Sequence, residues 1–395
     1  MSTLENTTSN NLAARVKEMF MNDFGPYDLC VAAPGRINIL GEHTDYNDGF
    51  VLPAAVDRCV YMAIAQSGTS VCRIHAMDLD EEFDIDLNEQ LKPSTEVGWA
   101  NYFLGVVAEM QNQGLKIQGF NLVFASNVPI GAGMSSSAAI ECGFGLTLQQ
   151  LFGLALSKEQ IALIGQKAEH TYAGVKCGIM DQFASSLGAK DHVIKLDCRS
   201  LTYQLIPAKF GDYSLVLFDT KVKHNLAGSA YNTRREQCET GVEAVRAIDP
   251  SVKSLRDISI DHLDQVKSVI DEKVYQRCEY VIKEIQRTEL ACEAMSTGNV
   301  DQLGKLMYST HEGLSRQYEV SCKELDLLVD LVKGMETVAG ARMMGGGFGG
   351  CTLNLIATKH LQQVKTEVTK AYLAAVGHEP DVYEVNISDG IRTIA

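Results

Sequence analysis

The run PIGAGMSSSAA, Pro129 to Ala139, constrains this chain more than any other segment. Two glycines open a loop, three hydroxyls follow, and a helix-like apolar pattern begins at once, so the run reads as a strand-to-helix turn. A glycine loop leaves its backbone N–H groups uncovered, and the helix behind it adds unpaired N–H groups and the positive end of its dipole. An anion such as phosphate is the expected guest. Two familiar phosphate loops do not fit. A Walker A loop needs a lysine after its second glycine, where Met134 and three serines stand. A dinucleotide fingerprint needs a third glycine where Ser136 stands and an acidic residue about twenty positions on, where Ser157, Lys158 and Glu159 look like a helix start. An ordinary turn with serine caps remains the plainer alternative.

At 395 residues the chain is long enough for about two or three domains. Its 35 basic and 50 acidic side chains leave a net charge of −15, which argues against nucleic acid and an acidic membrane surface as partners. A phosphate ligand must then be held locally, by backbone N–H groups, one or two arginines and a divalent cation. Eleven cysteines are scattered without a C-x-x-C pair, and their odd number fits a reducing cytoplasm. The start MSTLENTTSNN is polar, and no stretch reaches about eighteen consecutive apolar residues, so a soluble, unanchored protein is expected. Zinc spacings such as H-E-x-x-H are absent.

Strand and helix signals mix along the chain. Leu12, Val16, Met19 and Phe20 recur at helical spacing, and Asp28 to Ala33 reads as a short strand stopped by Pro34-Gly35. Phe103, Val106, Val107 and Met110 repeat the helical pattern up to a stop at Gly114. Phe120 to Ser126 is a strand feeding the glycine loop, and Ser157 with Gln160 forms a capping-box spacing. The first half therefore reads as an α+β domain. Tyr213 to Phe218 is a further strand, followed by charged, helix-compatible segments from about Tyr231 to Leu331. Cys351 to Ala357 alternates, a helical pattern from Leu361 to Tyr372 closes at Gly377, and Val382 to Asn386 is strand-like. A soft boundary falls near residue 205, where Ile206-Pro207 and a polar loop interrupt the pattern.

Four other segments could carry chemistry. PGRINILGEHTDYNDGF packs Arg36, Glu42, His43 and Asp45 between glycines, a donor and acceptor set suited to a polyhydroxylated ligand such as a sugar; Asn47-Asp48-Gly49 is a turn. CGIMDQF sets Asp181 among apolar and small neighbours. There it is either a helix-cap aspartate or a base or ligand whose natural partner is an arginine. RMMGGGFGGC, Arg342 to Cys351, runs straight into a strand, which suggests close backbone approach to a ligand or another loop rather than a flexible linker. KVKHNLAGSAYNTRREQC, Lys221 to Cys238, offers Tyr231 and several cations but reads most simply as a solvated helix start.

In this order and at these spacings, PGRINILGEHTDY, PIGAGMSSSAA and GGGFGG closely resemble the three motifs of the GHMP small-molecule kinases. GEHTDY, with CGIMDQF and YNTRREQC, resembles the galactokinase branch of that family, over about Tyr27 to Asn386. The resemblance implies a two-domain fold, an N-terminal α+β domain over residues 1–205 and a ferredoxin-like C-terminal domain over 206–395, with the active site between them. It implies ATP and galactose as substrates, phosphoryl transfer to the sugar C1 hydroxyl and magnesium as cofactor; a cytoplasmic monomer is expected. Glu42, His43, Thr44, Asp45, Gly178, Asp181 and Tyr231 match sugar-binding positions, and Gly131, Ala132, Gly133, Met134, Ser135, Ser136 and Ser137 match the nucleotide phosphate loop. Ser137 and Glu169 match magnesium ligands. Asp181 matches the proposed base and Arg36 its neighbouring cation. A sister kinase for N-acetylgalactosamine and a non-catalytic sugar sensor are the alternatives. The uninterrupted serine run and Asp181 favour the enzyme.

Overall fold

Three sheets organise the chain in a computed structural model that describes residues 2–222 and 227–395. The first half opens with α1 (Ser2–Phe24), β1 (Leu29–Asn38), β2 (Phe50–Val51), β3 (Pro53–Gln66), β4 (Val71–Ala76) and β5 (Glu81–Asp86). It continues with α2 (Ala100–Asn112), β6 (Phe120–Ser126), α3 (Ser136–Leu151), α4 (Lys158–Ala168), α5 (Met180–Leu187), β7 (His192–Asp197) and β8 (Tyr203–Pro207). The second half holds β9 (Tyr213–Asp219), α6 (Ala227–Arg246), α7 (Ile260–Gln265), α8 (Glu272–Thr297), α9 (Val300–Glu312) and α10 (Lys323–Val332). It ends with β10 (Val338–Met343), β11 (Cys351–Ala357), α11 (Leu361–Val376), β12 (Asp381–Val385) and β13 (Arg392–Ile394). Lys223, His224, Asn225 and Leu226 of the basic run lie outside the described residues.

The large sheet runs β13-β1-β3-β6-β4-β5. Helix α1 packs on one side against β3 and β6, and α3 packs on the other against β1 and β3. Ser157 closes a capping box with Gln160, its hydroxyl accepting from the Gln160 N–H and its own N–H bonding the Gln160 side chain, so α4 begins where the sequence signals it. The second half carries a four-stranded sheet in the order β10-β11-β9-β12. Its strands connect as β-α-β-β-α-β, the ferredoxin-like arrangement that was expected. Strands β9 and β11 are buried on both faces: Leu215, Leu217, Leu353 and Leu355 join the main core, while Val216, Phe218 and Ile356 pack on α10 and α11.

One expectation needs correction. Strand β1 does not stop at Pro34-Gly35 but continues to Asn38 through a register shift between Pro34 and Arg36. Proline is tolerated because β13 pairs only with Cys30 to Ala32, so no ladder bond is lost at Pro34. The bulge also aims Arg36 at the glycine loop, with the Arg36 N–H donating to the Met134 carbonyl at 3.0 Å. Ile206-Pro207 closes a strand, and residues 208–212 behind it are irregular. Both residues lie in β8, an edge strand paired to β7 with Ile206 opposite Val193. The four-stranded sheet begins only at Tyr213, and β13 returns to pair with β1.

Candidate functional site

The loop after β1 is held from the second half of the chain. Glu42 is 1% exposed. Its Oε1 accepts from Arg342 Nη2 at 2.7 Å and from the Gly345 N–H at 2.8 Å, and its Oε2 accepts from Asn38 Nδ2. Arg342, itself fully buried, also donates to the carbonyls of Ile39 (2.8 Å) and Asn38. Glu284 accepts from the Gly41 N–H at 2.9 Å, and the Tyr280 hydroxyl donates to the Glu42 carbonyl at 3.1 Å. The next residue, His43, sits in the left-handed region at φ +65°. Such strain persists only where the surroundings over-determine it.

Asp45 lies against Gly178 so closely that a Cβ there would fall 1.8 Å from Asp45 Oδ2. Only glycine admits that approach. Burial, and then the nearby Asp181 charge, push the Asp45 carboxyl up to about 7. Burial likewise drives the His43 ring down to about 4, so it is a neutral imidazole at neutral pH.

The glycine loop lies opposite. Gly131 and Gly133 take positive φ, and a Cβ built on Gly350 of the second glycine run would sit 3.2 Å from the Gly131 carbonyl oxygen. The two glycine runs therefore meet backbone to backbone, the close approach expected of RMMGGGFGGC. Ser135 occupies the N-cap of α3 without making a side-chain cap bond; its hydroxyl donates instead to Asp181 Oδ2. Ser137, two residues on, donates to Glu169 Oε1 at 3.2 Å.

Asp181 stands between these two loops, in the first turn of α5. Arg36 grips it with two bonds of 2.7 Å, Nε to Oδ1 and Nη2 to Oδ2, and its Nη1 reaches the Gly133 carbonyl. The arginine side chain is 4% exposed and the aspartate 24%, so the carboxylate is the more accessible member of the pair. Burial alone would lower the Arg36 pKa, but Asp181, Glu42 and Asp45 outweigh it and raise it.

Glu169 opens a π-turn, Glu169–Ala173, a local insertion frequent at functional sites. Gln182 Nε2 holds it at 2.9 Å and also reaches Glu141 Oε2 at 3.1 Å. Burial, followed by the Asp181 charge, lifts the Glu169 carboxyl to about 7.

These groups line one cavity of about 470 Å³. Arg36, Glu42, His43, Asp45, Gly178, Asp181, Tyr231, Gly131, Gly133, Ser135, Ser136, Ser137 and Glu169 all face it. Three expected residues do not. Thr44 turns its hydroxyl to the carbonyls of Gly41 (2.8 Å) and Phe50 (2.7 Å) and so braces the loop, while Ala132 and Met134 bury their side chains in the main core. Sequence reasoning missed Arg342 as the partner of Glu42, Glu284 behind Gly41, and Gln182 between Glu141 and Glu169. Arg342 alone carried a signal, being the charge at the head of the second glycine run.

A doubly-gripped carboxylate between a glycine loop and a carboxylate-lined loop, on a ferredoxin-like half joined to a larger α+β half, defines a GHMP-type small-molecule kinase. Residues 101–189 match the GHMP kinases N-terminal domain and 289–374 the GHMP kinases C-terminal domain. The galactokinase galactose-binding signature matches residues 18–66. The galactokinase of Thermotoga neapolitana is 39% identical over 364 residues, 92% of this chain and 99% of that protein. That of Roseiflexus sp. is 37% identical over 380 residues, 96% of each. The crystal structure of Lactococcus lactis galactokinase complexed with galactose superposes with a TM-score of 0.92 at 32% identity, covering 96% of this chain and 99% of that one. The Methanococcus jannaschii mevalonate kinase shares the fold alone, at a TM-score of 0.66 and 17% identity over 93% of this chain and 100% of that one. The chain belongs to the galactokinase family and is an ATP-dependent sugar kinase. Among the described residues no helix is long and apolar enough to cross a membrane.

Proposed function

We propose that this chain transfers the γ-phosphoryl group of ATP to the C1 hydroxyl of α-D-galactose, giving galactose 1-phosphate and ADP. The observation that carries the reading is the Arg36–Asp181 pair, standing between the Glu42 to Asp45 loop and the glycine loop within one cavity. Phosphoryl transfer depends mainly on positioning and charge stabilisation, so a two-sided site of this kind has the required parts.

Asp45, His43, Gly178 and Tyr231 contact the sugar, and Glu42, held by Arg342, shapes the loop that presents them. The N–H groups at the start of α3 and of the loop Gly131 to Ser137 receive the phosphates. Asp181 Oδ accepts the C1 hydroxyl proton as that oxygen attacks the γ-phosphorus and the bond to the ADP oxygen breaks. Arg36 orients Asp181 through two hydrogen bonds and offsets charge on the transferred group.

Ser137 and Glu169 would hold magnesium. The groups bonded to Glu169 are the neutral Ser137, Cys177 and Gln182, so this buried carboxylate lacks a cationic partner there, which suits a divalent ion. When bound, magnesium neutralises the phosphate charge, and two protein ligands are typical because the nucleotide supplies others. Eleven free cysteines fit the cytoplasm. The intact serine run and Asp181 weigh against a non-catalytic sensor. Incubating the purified chain with MgATP and a sugar panel tests the reading: galactose should have the highest kcat/KM, and a clear preference for N-acetylgalactosamine would overturn the substrate.

A further inference from the structure

Behind the sugar loop, a chain of hydrogen bonds runs out of the cavity into the helical part of the second half. His43 Nδ1 lies 2.8 Å from the Tyr46 hydroxyl, which lies 2.7 Å from the Tyr318 hydroxyl, which lies 3.2 Å from Cys238 Sγ. His43 lines the cavity, and its buried Nε2 makes no hydrogen bond of good geometry among the described residues, although the Gly346 backbone lies beside the ring and, against the larger lowering by burial, raises its pKa. The Tyr318 ring packs 4.8 Å from the His43 ring and also 4.8 Å from Tyr280. Tyr318 is set by a second π-turn, Gly313–Gln317, whose glycine has no room for a Cβ because the Tyr280 ring would be 2.6 Å away.

We propose that Tyr318 is a positioning residue that, through Tyr46, fixes His43 as its Nε2–H tautomer and so presents a hydrogen-bond donor to the ligand in the cavity. The inference rests on the reading of this cavity as a sugar site. Proton counting supports it. Burial holds both phenols protonated and lifts the Cys238 thiol to about 11, while His43 is neutral, so four groups carry four protons. Three links use three of them, and the fourth sits at one end.

The direction follows from donor and acceptor strength. A phenol O–H donating to an imidazole nitrogen pairs the better acid with the better base, whereas the reverse order would end on a thiol sulfur, a weak acceptor. The tautomer of a histidine is set by the bond its other nitrogen makes. Glu42 and Asp181 around the cavity are acceptors when ionised, so a donor at Nε2 adds to the few that Arg36 and Tyr231 can offer a sugar hydroxyl oxygen.

Nitrogen NMR of the ligand-free, 15N-histidine-labelled chain tests the tautomer without any sugar. The expected result is a proton on Nε2 and a bare Nδ1; a proton on Nδ1 overturns the proposal even if galactose is a substrate. Tyr318→Phe should abolish the single tautomer and weaken galactose binding about three- to tenfold by calorimetry, with kcat changed less than the sugar KM. An unchanged tautomer in that variant, or a lost tautomer with unchanged galactose affinity, overturns it. Should Tyr318→Phe fail to fold, Tyr46→Phe and the wild-type spectrum decide. If the wild type binds no galactose, the function proposed above fails while the tautomer reading still stands or falls on its spectrum.

Discussion

The two loops that form the cavity are built in opposite ways. The sugar loop after β1 is strapped down: Glu42 is 1% exposed and bonded to Arg342, Gly345 and Asn38, and Gly41 is tied to Glu284 on α8. The glycine loop is open at its tip, with Ile130 71% exposed and nothing within 4 Å of a Cβ placed on Gly131, and only its far end is tied down, by Arg36 at Gly133 and Met134. On the proposed reading, the difference sets where each half of the site obtains its selectivity. A sugar is told from its isomers by fixed hydroxyl contacts, which require a loop that cannot adjust. A polyphosphate is recognised by charge and backbone N–H groups, which require exposed backbone more than a rigid one.

Breaking the junction between the loops has the largest effect. Asp181→Asn keeps the shape of the side chain but removes the proton acceptor, and should lower kcat by about a hundred- to ten-thousandfold. Calorimetry should find galactose affinity within a few-fold of wild type, and near-normal turnover would remove Asp181 as the base. Next comes the strap on the sugar loop. Arg342→Met strands the buried Glu42 carboxylate, and unfolding in denaturant should reveal a loss of about 3–5 kcal/mol together with weaker sugar binding. A loss below about 1 kcal/mol would mean that the strap is not what holds the loop.

Paired glycine substitutions sharpen the contrast at smaller scale. Gly178→Ala drives a methyl group into Asp45 and should weaken galactose binding about ten- to a hundredfold. Gly131→Ala meets open space and suffers only the strain of φ +80°, about 1–2 kcal/mol, which should appear in the KM for ATP and leave galactose affinity alone. Equal effects on both substrates would erase the distinction between the loops.

Acidity gives the smallest signal. The Asp45 and Glu169 carboxyls, ordinarily near 3.8 and 4.5, lie at about 7 in the fold. Between about pH 4 and pH 7 the folded chain keeps these protons and the unfolded chain releases them, so ligand-free stability falls as pH rises through that window. Melting curves of Asp45→Asn should fall less steeply there than those of wild type. An identical slope would contradict the raised value at Asp45.

Much of the fold was legible because local signals decide it. Phe120–Ser126 and Cys351–Ala357 are strands over the expected residues, and the Ser157 cap starts α4. Pro34-Gly35 misled because a proline breaks a strand only when its N–H is needed, which depends on neighbours that local pattern does not reveal. At the site, the glycines and carboxylates were legible as residue types. Their straps were not: Arg342 lies 300 positions from Glu42, and Tyr318 is 272 from Tyr46. Thr44 shows the converse, a motif residue whose hydroxyl serves the loop rather than the cavity.

The central claim is that a strapped sugar loop and an open phosphate loop deliver their substrates to the two sides of Asp181. Phosphorus NMR of the purified chain with MgATP and galactose tests it most directly. A sugar 1-phosphate signal should grow in step with ADP, and Asp181→Asn should produce neither. ADP without a sugar phosphate, or a phosphate on any hydroxyl other than C1, would contradict the account.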